Sequence, residues 1–328
     1  MAAPTGTFQT YSATTNREDL QNWIANISPT DSPFKSMIGE AEAKDKKHEW
    51  SQDELAAAST SNAQVEGDDI PGSTSAAPSR IENYCQISSK DITVSRSQRK
   101  SNMAGAEDFY DYQVVKKGRE ILRDMEAILT GNQGYVQGNA TLARKLRSLE
   151  SWISTNQNLN SVTTTAAGAL TSASTPGKEA TAATLARTDA NVTRPFAESY
   201  LKEVIRECYT EGGAPSVLMV GPYNKQIVSS FAGRTSAREN VSVGTILGAA
   251  QVYASDFGDL RVVPNRFQRD RSAFVLDTEY WAVAYFDRLQ EEAIAKTGDA
   301  DKTLLVVEYT LEAKQQKSSG GIFDLSTS

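Results

Sequence analysis

Gln251-Val-Tyr-Ala-Ser-Asp-Phe-Gly-Asp-Leu-Arg-Val-Val-Pro-Asn-Arg-Phe267 reads as a β-hairpin. Val252 and Tyr253 lead into a tight Asp256-Phe-Gly-Asp259 turn, Leu260 to Val263 return, and Pro264-Asn265 stops the second strand. Gly258 supplies the residue tolerant of positive φ, and Asp256 and Asp259 are turn formers. Asp256-Phe257-Gly258 also spells the metal-binding triplet of protein kinases. That chemistry needs a glycine-rich loop, a strand lysine and a His-Arg-Asp loop upstream. The chain has one histidine, His48, far from the required place, so the triplet is a turn.

Around this hairpin the pattern is mixed. Downstream, Ala273–Leu276 and Trp281–Phe286 are expected strands. Val307, Tyr309, Leu311 and Ala313 alternate with Glu308, Thr310 and Glu312, the period of a half-exposed strand. Upstream, Val217–Val220 reads as a short buried strand, followed by Gly221-Pro222 and a helix to Phe231. Before it lies a helix capped at Thr193, with Pro195 just inside, Phe196, Tyr200, Val204 and Cys208 on its buried face, and Gly212-Gly213 at its end. Another helix is expected through Leu142, Leu146, Leu149 and Ile153. The clearest helix runs from Glu107 to Thr130, with Phe109, Tyr112, Val115, Leu122, Met125 and Leu129 as its apolar stripe and Gly131 as its stop. Gly118 inside it costs about 1 kcal/mol and marks a bend or a close approach. Nearer the N-terminus, Lys47–Ser51 is an expected strand with His48 and Trp50 on one face. Tyr84–Val94 is its return, with Cys85 and Ile87 on one face and Ile92 and Val94 on the other unless a bulge near Ser89–Asp91 shifts the phase. Residues 1–15 read as an extended arm, Asn16 as the cap of a short helix carrying Leu20, Trp23 and Ile24, and Phe34, Met37 and Ile38 as a second small apolar group. The fold class is α+β, without a βαβ repeat.

The chain of 328 residues is long enough for one large or two medium domains with real cores. Its hydrophobic fraction of 39% and mean hydropathy of −0.45 fall below the globular norm. The deficit concentrates in residues 52–84 and 154–193. A hairpin that long and that polar is marginal alone and needs a second surface to lie on. The net charge is −7, and neither Lys44–Lys47 nor Arg144–Arg147 is long enough to act as a nucleic-acid arm. Cys85 and Cys208 sit in apolar stretches without metal-type spacing and read as buried hydrophobes in a reducing compartment. No secretory signal opens the sequence and no apolar run reaches a membrane span.

No catalytic constellation stands out. Gly177-Lys178 lacks the upstream glycine and following hydroxyl of a phosphate loop, because Ser172 and Glu179 occupy those positions. His48, in a polar strand, reads as a structural side chain. Asp68-Asp69 and the Asp299/Asp301 turn lack calcium-loop spacing. Asn-X-Ser/Thr triplets at Asn139, Asn191 and Asn240 carry no meaning without a signal peptide. The expectation is no catalytic residue, no cofactor and no metal.

The residue order of the 251–267 hairpin resembles the late hairpin of the HK97-fold major capsid proteins of tailed bacteriophages. Further resemblance lies in Thr297-Gly-Asp-Ala-Asp-Lys302, Val307-Glu-Tyr-Thr-Leu-Glu-Ala313 and Gly320-Gly-Ile-Phe-Asp-Leu325. It is densest over 252–325 and weakest in 154–193. The resemblance implies an N-terminal arm at 1–44, an extended β-hairpin loop at 45–100 that lies across a neighbouring subunit, and a peripheral domain at 101–154 with a spine helix at 104–131. It also implies an axial α/β domain at 155–290 and peripheral hairpin strands with a C-terminal segment at 291–328. The implied function is structural: self-assembly into hexamers and pentamers of an icosahedral head shell around double-stranded DNA, within the virion and assembled in the bacterial cytoplasm. Implied partners are other copies of the chain, a separate scaffolding protein, a portal, an optional decoration protein and DNA contacted non-specifically, with no membrane. Acidic charge suits a lining that does not grip phosphates. Some relatives cross-link a loop lysine to an asparagine; the matching turn 297–301 has no asparagine, so a non-covalent shell is expected. Trp23, Phe34 and Trp50, the large side chains of arm and loop, are the expected inter-subunit contacts.

Three other readings compete. An encapsulin-type compartment shares the fold but encloses enzymes. A carboxylate-dependent soluble hydrolase would need only two acids close in space. An adhesin or tail fibre would show repeats, and none is present.

Overall fold

The computed structural model describes residues 29–67, 77–101, 108–159, 186–190, 192–231, 252–296 and 298–327. The expected hairpin forms from β7 (Val252–Ser255) and β8 (Gly258–Pro264). Gly258 has a φ of 140°, open to glycine and costly to other residues. β8 runs parallel to β6 (Val217–Val220), whose four residues are all buried. β9 (Ala273–Leu276), β12 (Gly320–Ile322) and β5 (Gln157–Asn158) complete a six-stranded sheet in the order β5-β12-β9-β6-β8-β7. Helix α5 (Glu198–Thr210) covers one face, seating Leu201, Val204, Ile205 and Cys208 on Leu218, Val220, Leu260, Val262 and Val275. Each such aliphatic side chain taken from water contributes about 1.5–3 kcal/mol. At Gly320 the helix comes so near β12 that a Cβ would strike the Val204 side chain and lie 2.8 Å from the Asn156 carbonyl.

α5 starts later than its sequence signals suggest, with Ala197 at the N-cap. The backbone at Arg194 is held elsewhere: its N–H donates to Asp324 O at 2.9 Å and its carbonyl accepts from Ser326 N at 2.7 Å. Thr193 and Pro195 therefore lie ahead of the helix. α6 (Pro222–Ser229) begins, as expected, at Gly221-Pro222.

A second sheet of four strands has the order β1-β10-β11-β4. β1 (Gly39–Glu42) lies parallel to β10 (Trp281–Ile294), β10 pairs antiparallel with β11 (Ala300–Ala313), and β11 pairs antiparallel with β4 (Gln86–Ser95). The expected return strand at 84–94 is thus two strands with different partners. β2 (Lys47–Gln52) pairs with β3 (Ser79–Tyr84), Trp50 opposite Ile81, while β4 joins β11. The break falls at Cys85, whose N–H donates to Lys46 O at 2.8 Å. The β4–β11 register runs unbroken from Ser95 to Gln86, so no bulge shifts the phase at 89–91.

Helix α3 (Phe109–Leu129) is capped by Asp108, whose carboxylate accepts from Tyr110 N at 2.8 Å. It packs on the four-stranded sheet through Ile121, Met125 and Leu129, flanked by half-buried Val114 and Leu122. Val115, expected in the apolar stripe, is 54% exposed, because the buried arc is centred nearer Val114. A Cβ at Gly118 would meet nothing within 4 Å, so no close approach requires that glycine.

The helix expected through 142–153 shrinks to α4 (Leu149–Trp152). Asn139 Oδ1 accepts from the N–H groups of Thr141 and Leu142, each at 2.9 Å, and Val136 bridges to Lys145. Side-chain capture of backbone donors outcompetes helix here and leaves Leu142 exposed. Thr310 and Glu312, expected on a solvent face of β11, are buried, because the β2–β3 ribbon folds onto that strand's end. Two short helices remain, α1 (Pro33–Met37) and α2 (Arg96–Lys100). β10 begins at Trp281 in the four-stranded sheet, and β12 belongs to the six-stranded one.

Candidate functional site

Among the described residues, three exposed surfaces could serve a partner. The first is the base of the β2–β3 ribbon. Trp50 Nε1 donates to Ala313 O at 2.9 Å, its ring lies 5.6 Å from that of Trp152, and His48 Nε2 sits 3.2 Å from Glu312 Oε2. Asn83, fully buried, donates to Leu311 O at 2.8 Å and accepts from Arg147 N at 2.8 Å. Beyond Gln52 the support ends. Residues 53–67 are exposed, with Leu55 at 99% and Val65 at 76%, and among the described residues Glu54 ties them to the body through Lys317 at 2.8 Å and Gln315 at 3.4 Å.

The second surface is the outer part of the β10–β11 hairpin. β1 covers β10 only as far as Tyr285. From Phe286 onward that edge has no partner strand among the described residues, and Phe286, Leu289 and Ile294 stand exposed along it. An open edge with apolar side chains is a template for pairing with another chain. At the hairpin's tip, Asp299 lies 2.9 Å from Arg96, and Asp301 is engaged by Arg99 at 3.0 Å and by Lys296. A third exposed group, at the far end of α5, stacks Tyr209 against Phe257 with ring centres 4.7 Å apart.

Two buried polar clusters lock the body behind these surfaces. Glu126, on the covered side of α3, accepts from Phe34 N at 2.8 Å, Lys35 N at 3.0 Å and Asn265 Nδ2 at 2.6 Å. Burial pushes its carboxyl above the usual range, and the three donors oppose that shift. Glu150 accepts from Arg269 at 2.8 Å and from Ser272 Oγ at 3.0 Å, joining α4 to the turn before β9. Burial raises its carboxyl too, against the pull of Arg269 and Arg187. Arg187, over the Phe323 ring at 3.5 Å, is pushed down to about 10 by burial, and Arg147, over Trp152 at 4.4 Å, to about 9. These groups are enclosed; they are fasteners. Among the described residues no cluster of His, Cys, Asp or Glu could hold a metal ion, and no helix is long and apolar enough to cross a membrane.

Of the expected contact residues, Trp23 lies outside the described residues. Phe34 is fully buried in its own subunit's core, and Trp50 is half-buried against its own Trp152 and Ala313. Within the subunit these two side chains fasten the small helix α1 and the β2–β3 ribbon to the body. Sequence reasoning missed Glu126, Asn83 and Asn265. An acid at position 126 between Met125 and Leu129, inside an apolar arc, was the available signal.

A long helix on a four-stranded sheet, a projecting ribbon, a strand-edged hairpin and a second α/β layer define an HK97-type capsid subunit. Solved structures agree. The cyanophage A-1(L) capsid subunit superposes with a TM-score of 0.63 at 11% identity, covering 97% of this chain and 98% of that one. The capsid of a native GTA particle gives 0.62 at 8% identity, with 97% and 98% covered. The chain belongs to the SU10 major capsid protein family, whose model matches residues 3–326. It is 24% identical over 352 residues to the major capsid protein of Escherichia phage Phieco32, covering 98% of each chain. The protein is accordingly a phage major capsid protein, a building block of a virion shell.

Proposed function

We propose that this subunit forms the hexamers and pentamers of an icosahedral head that encloses double-stranded DNA, and that it does so without catalysis. The observation that carries this is the loop 53–67, which is ordered at its base by Trp50 and Asn83 yet offers Leu55 and Val65 to solvent. Apolar groups held out on a stalk gain stability only when another surface covers them. In this reading the four-stranded sheet with α3 is the peripheral domain, and the six-stranded sheet with α5 is the axial domain. The loop crosses to a neighbouring copy. A separate scaffolding protein and a portal direct assembly, and a decoration protein is an optional addition, as in the Phage G structure, which contains separate decoration proteins. The net charge of −7 suits a lining that lets DNA slide during packaging.

The test is expression of the protein alone and beside its neighbouring phage genes, followed by negative-stain microscopy and nucleic-acid analysis of the particles. Closed shells that fill with DNA only when packaging genes are present support the reading. Particles that hold proteins in place of DNA favour a compartment, and a monomer with hydrolytic turnover favours an enzyme.

A further inference from the structure

We propose that Lys317 is a clasp that changes between acid partners and thereby sets the angle at which the projecting loop leaves the subunit. The inference rests on the assembly reading above and adds a device that fits one chain to the different settings of a shell. Lys317 lies on the connection from β11 to β12, where the chain passes from the four-stranded sheet to the six-stranded one. The connection from β9 to β10 runs beside it: Lys314 N–H donates to Tyr280 O at 2.9 Å, and Trp281 Nε1 donates to Ser319 Oγ at 2.9 Å. From this junction the Lys317 ammonium reaches two acids at once. It lies 2.8 Å from Glu54 Oε2, just past the end of β2, and 3.4 Å from Glu211 Oε2, at the C-cap of α5. The Lys317 bond holds the Glu54 carboxyl below its usual range, and Glu54 in turn raises the ammonium.

A fixed point and a movable one stand next to each other here. The ribbon ends at Gln52, whose side-chain amide donates to Gln315 Oε1, with Trp50 bound to Ala313 O behind it. Beyond that pivot, the root of the loop borders a groove of about 730 Å³ that extends to the end of α5 and the β9–β10 connection. Asp53 and Glu279 line the same groove, so four acids face two lysines, Lys314 and Lys317. Glu54, Glu211 and Lys317 are all part-exposed, and ion pairs in such places are weak and exchange readily. With acids in excess, Lys317 keeps a partner whether or not it holds Glu54. Held, the loop root is drawn toward α5. Let go, the root turns about Gln52 while Lys317 stays with Glu211. Fivefold and sixfold rings of one chain close at different angles, so a shell with both needs its subunits in more than one setting. Two positions of the loop root with similar free energies supply that choice locally.

The experiment uses full-length E54Q and K317Q, with E54K/E211K/K317E as the charge-swapped control. In the dilute, unassembled subunit, spin labels at S59C and R206C, both exposed positions, report the separation of loop and α5. The native thiols are buried and stay unlabelled. The wild type is expected to give one narrow main distance, E54Q and K317Q a broader distribution with that peak reduced severalfold, and the swap the wild-type peak again. Unchanged distances in E54Q and K317Q overturn the proposal, as does a swap that restores nothing. A lowered denaturation midpoint without a change of distance also overturns it and makes Lys317 a plain support. Shells of each variant are then sized by cryo-electron microscopy. The share of particles at the wild-type diameter is expected to fall about fivefold or more in both single variants and to recover in the swap. Altered distances with wild-type diameters throughout overturn the link to shell geometry. Wild-type protein that forms no shells sinks the assembly reading itself, a separate result, and the spin-label distances still judge the clasp.

Discussion

Asn265 donates its side-chain amide to Glu126 at 2.6 Å, so the turn after β8 is tied to a carboxylate in the last turn of α3. The same carboxylate takes the first free N–H groups of α1, at Phe34 and Lys35. One buried acid thus holds together the arm, the long helix and the six-stranded sheet. Replacing Glu126 by Leu leaves three enclosed donors unsatisfied, at about 1–3 kcal/mol for each. A loss of several kcal/mol by urea denaturation is expected, with Glu126→Gln costing less.

The same residue sets a pH dependence. Its folded-state pKa is raised, chiefly by burial. Its contribution is therefore fully present below the ordinary carboxylate pKa and declines as pH rises through the raised value. Wild-type stability relative to Glu126→Gln is expected to fall over that window, and denaturation midpoints of the two proteins between pH 4 and 8 check the sign.

Gly118 is a removable weakness. It lies inside α3, and a Cβ there would meet open space. Gly118→Ala is expected to stabilise the subunit by about 1 kcal/mol through helix propensity. Gly320→Ala is expected to do the reverse, losing about 2 kcal/mol or more, because α5 must retreat from β12. Thermal melts of both variants test the contrast.

Trp50 fastens the ribbon to its own subunit. Trp50→Ala removes the ring from Trp152 and leaves Ala313 O without its donor, at about 2 kcal/mol for a half-buried site. Hydrogen exchange should show β2 and β3 losing protection ahead of the rest of the subunit.

Both thiols should be silent. Cys85 and Cys208 are fully buried and free, and burial pushes each up to about 12. A thiol reagent is expected to count none in the native subunit and two after denaturation. In the same denatured sample, boiled shells should run as single subunits, since the 297–301 turn offers no asparagine for a cross-link.

Local signals were enough for much of this architecture. The 252–264 hairpin, the Val217–Val220 strand, the Ala273–Leu276 strand and the long helix all follow from turn residues and periodicity. What local pattern could not supply was partner choice. Nothing between Tyr84 and Gln86 announces that one extended run changes sheets, because the switch is set by Lys46 and β11, both distant in sequence. Asn139 and Arg194 likewise override good helix signals with bonds that only the folded chain provides. The packing of two aromatic side chains was out of reach for a related reason. Size and position marked Phe34 and Trp50 as important, and only packing could say that they face inward.

The strand at 320–322 sits between β5 and β9, and Phe323 and Leu325 enter the two main cores just beyond it. During synthesis the six-stranded sheet therefore stays unfinished until that stretch has left the ribosome. A chain cut before Gly320 would lack the strand that joins β5 to β9, and each of its two cores would miss a large apolar side chain.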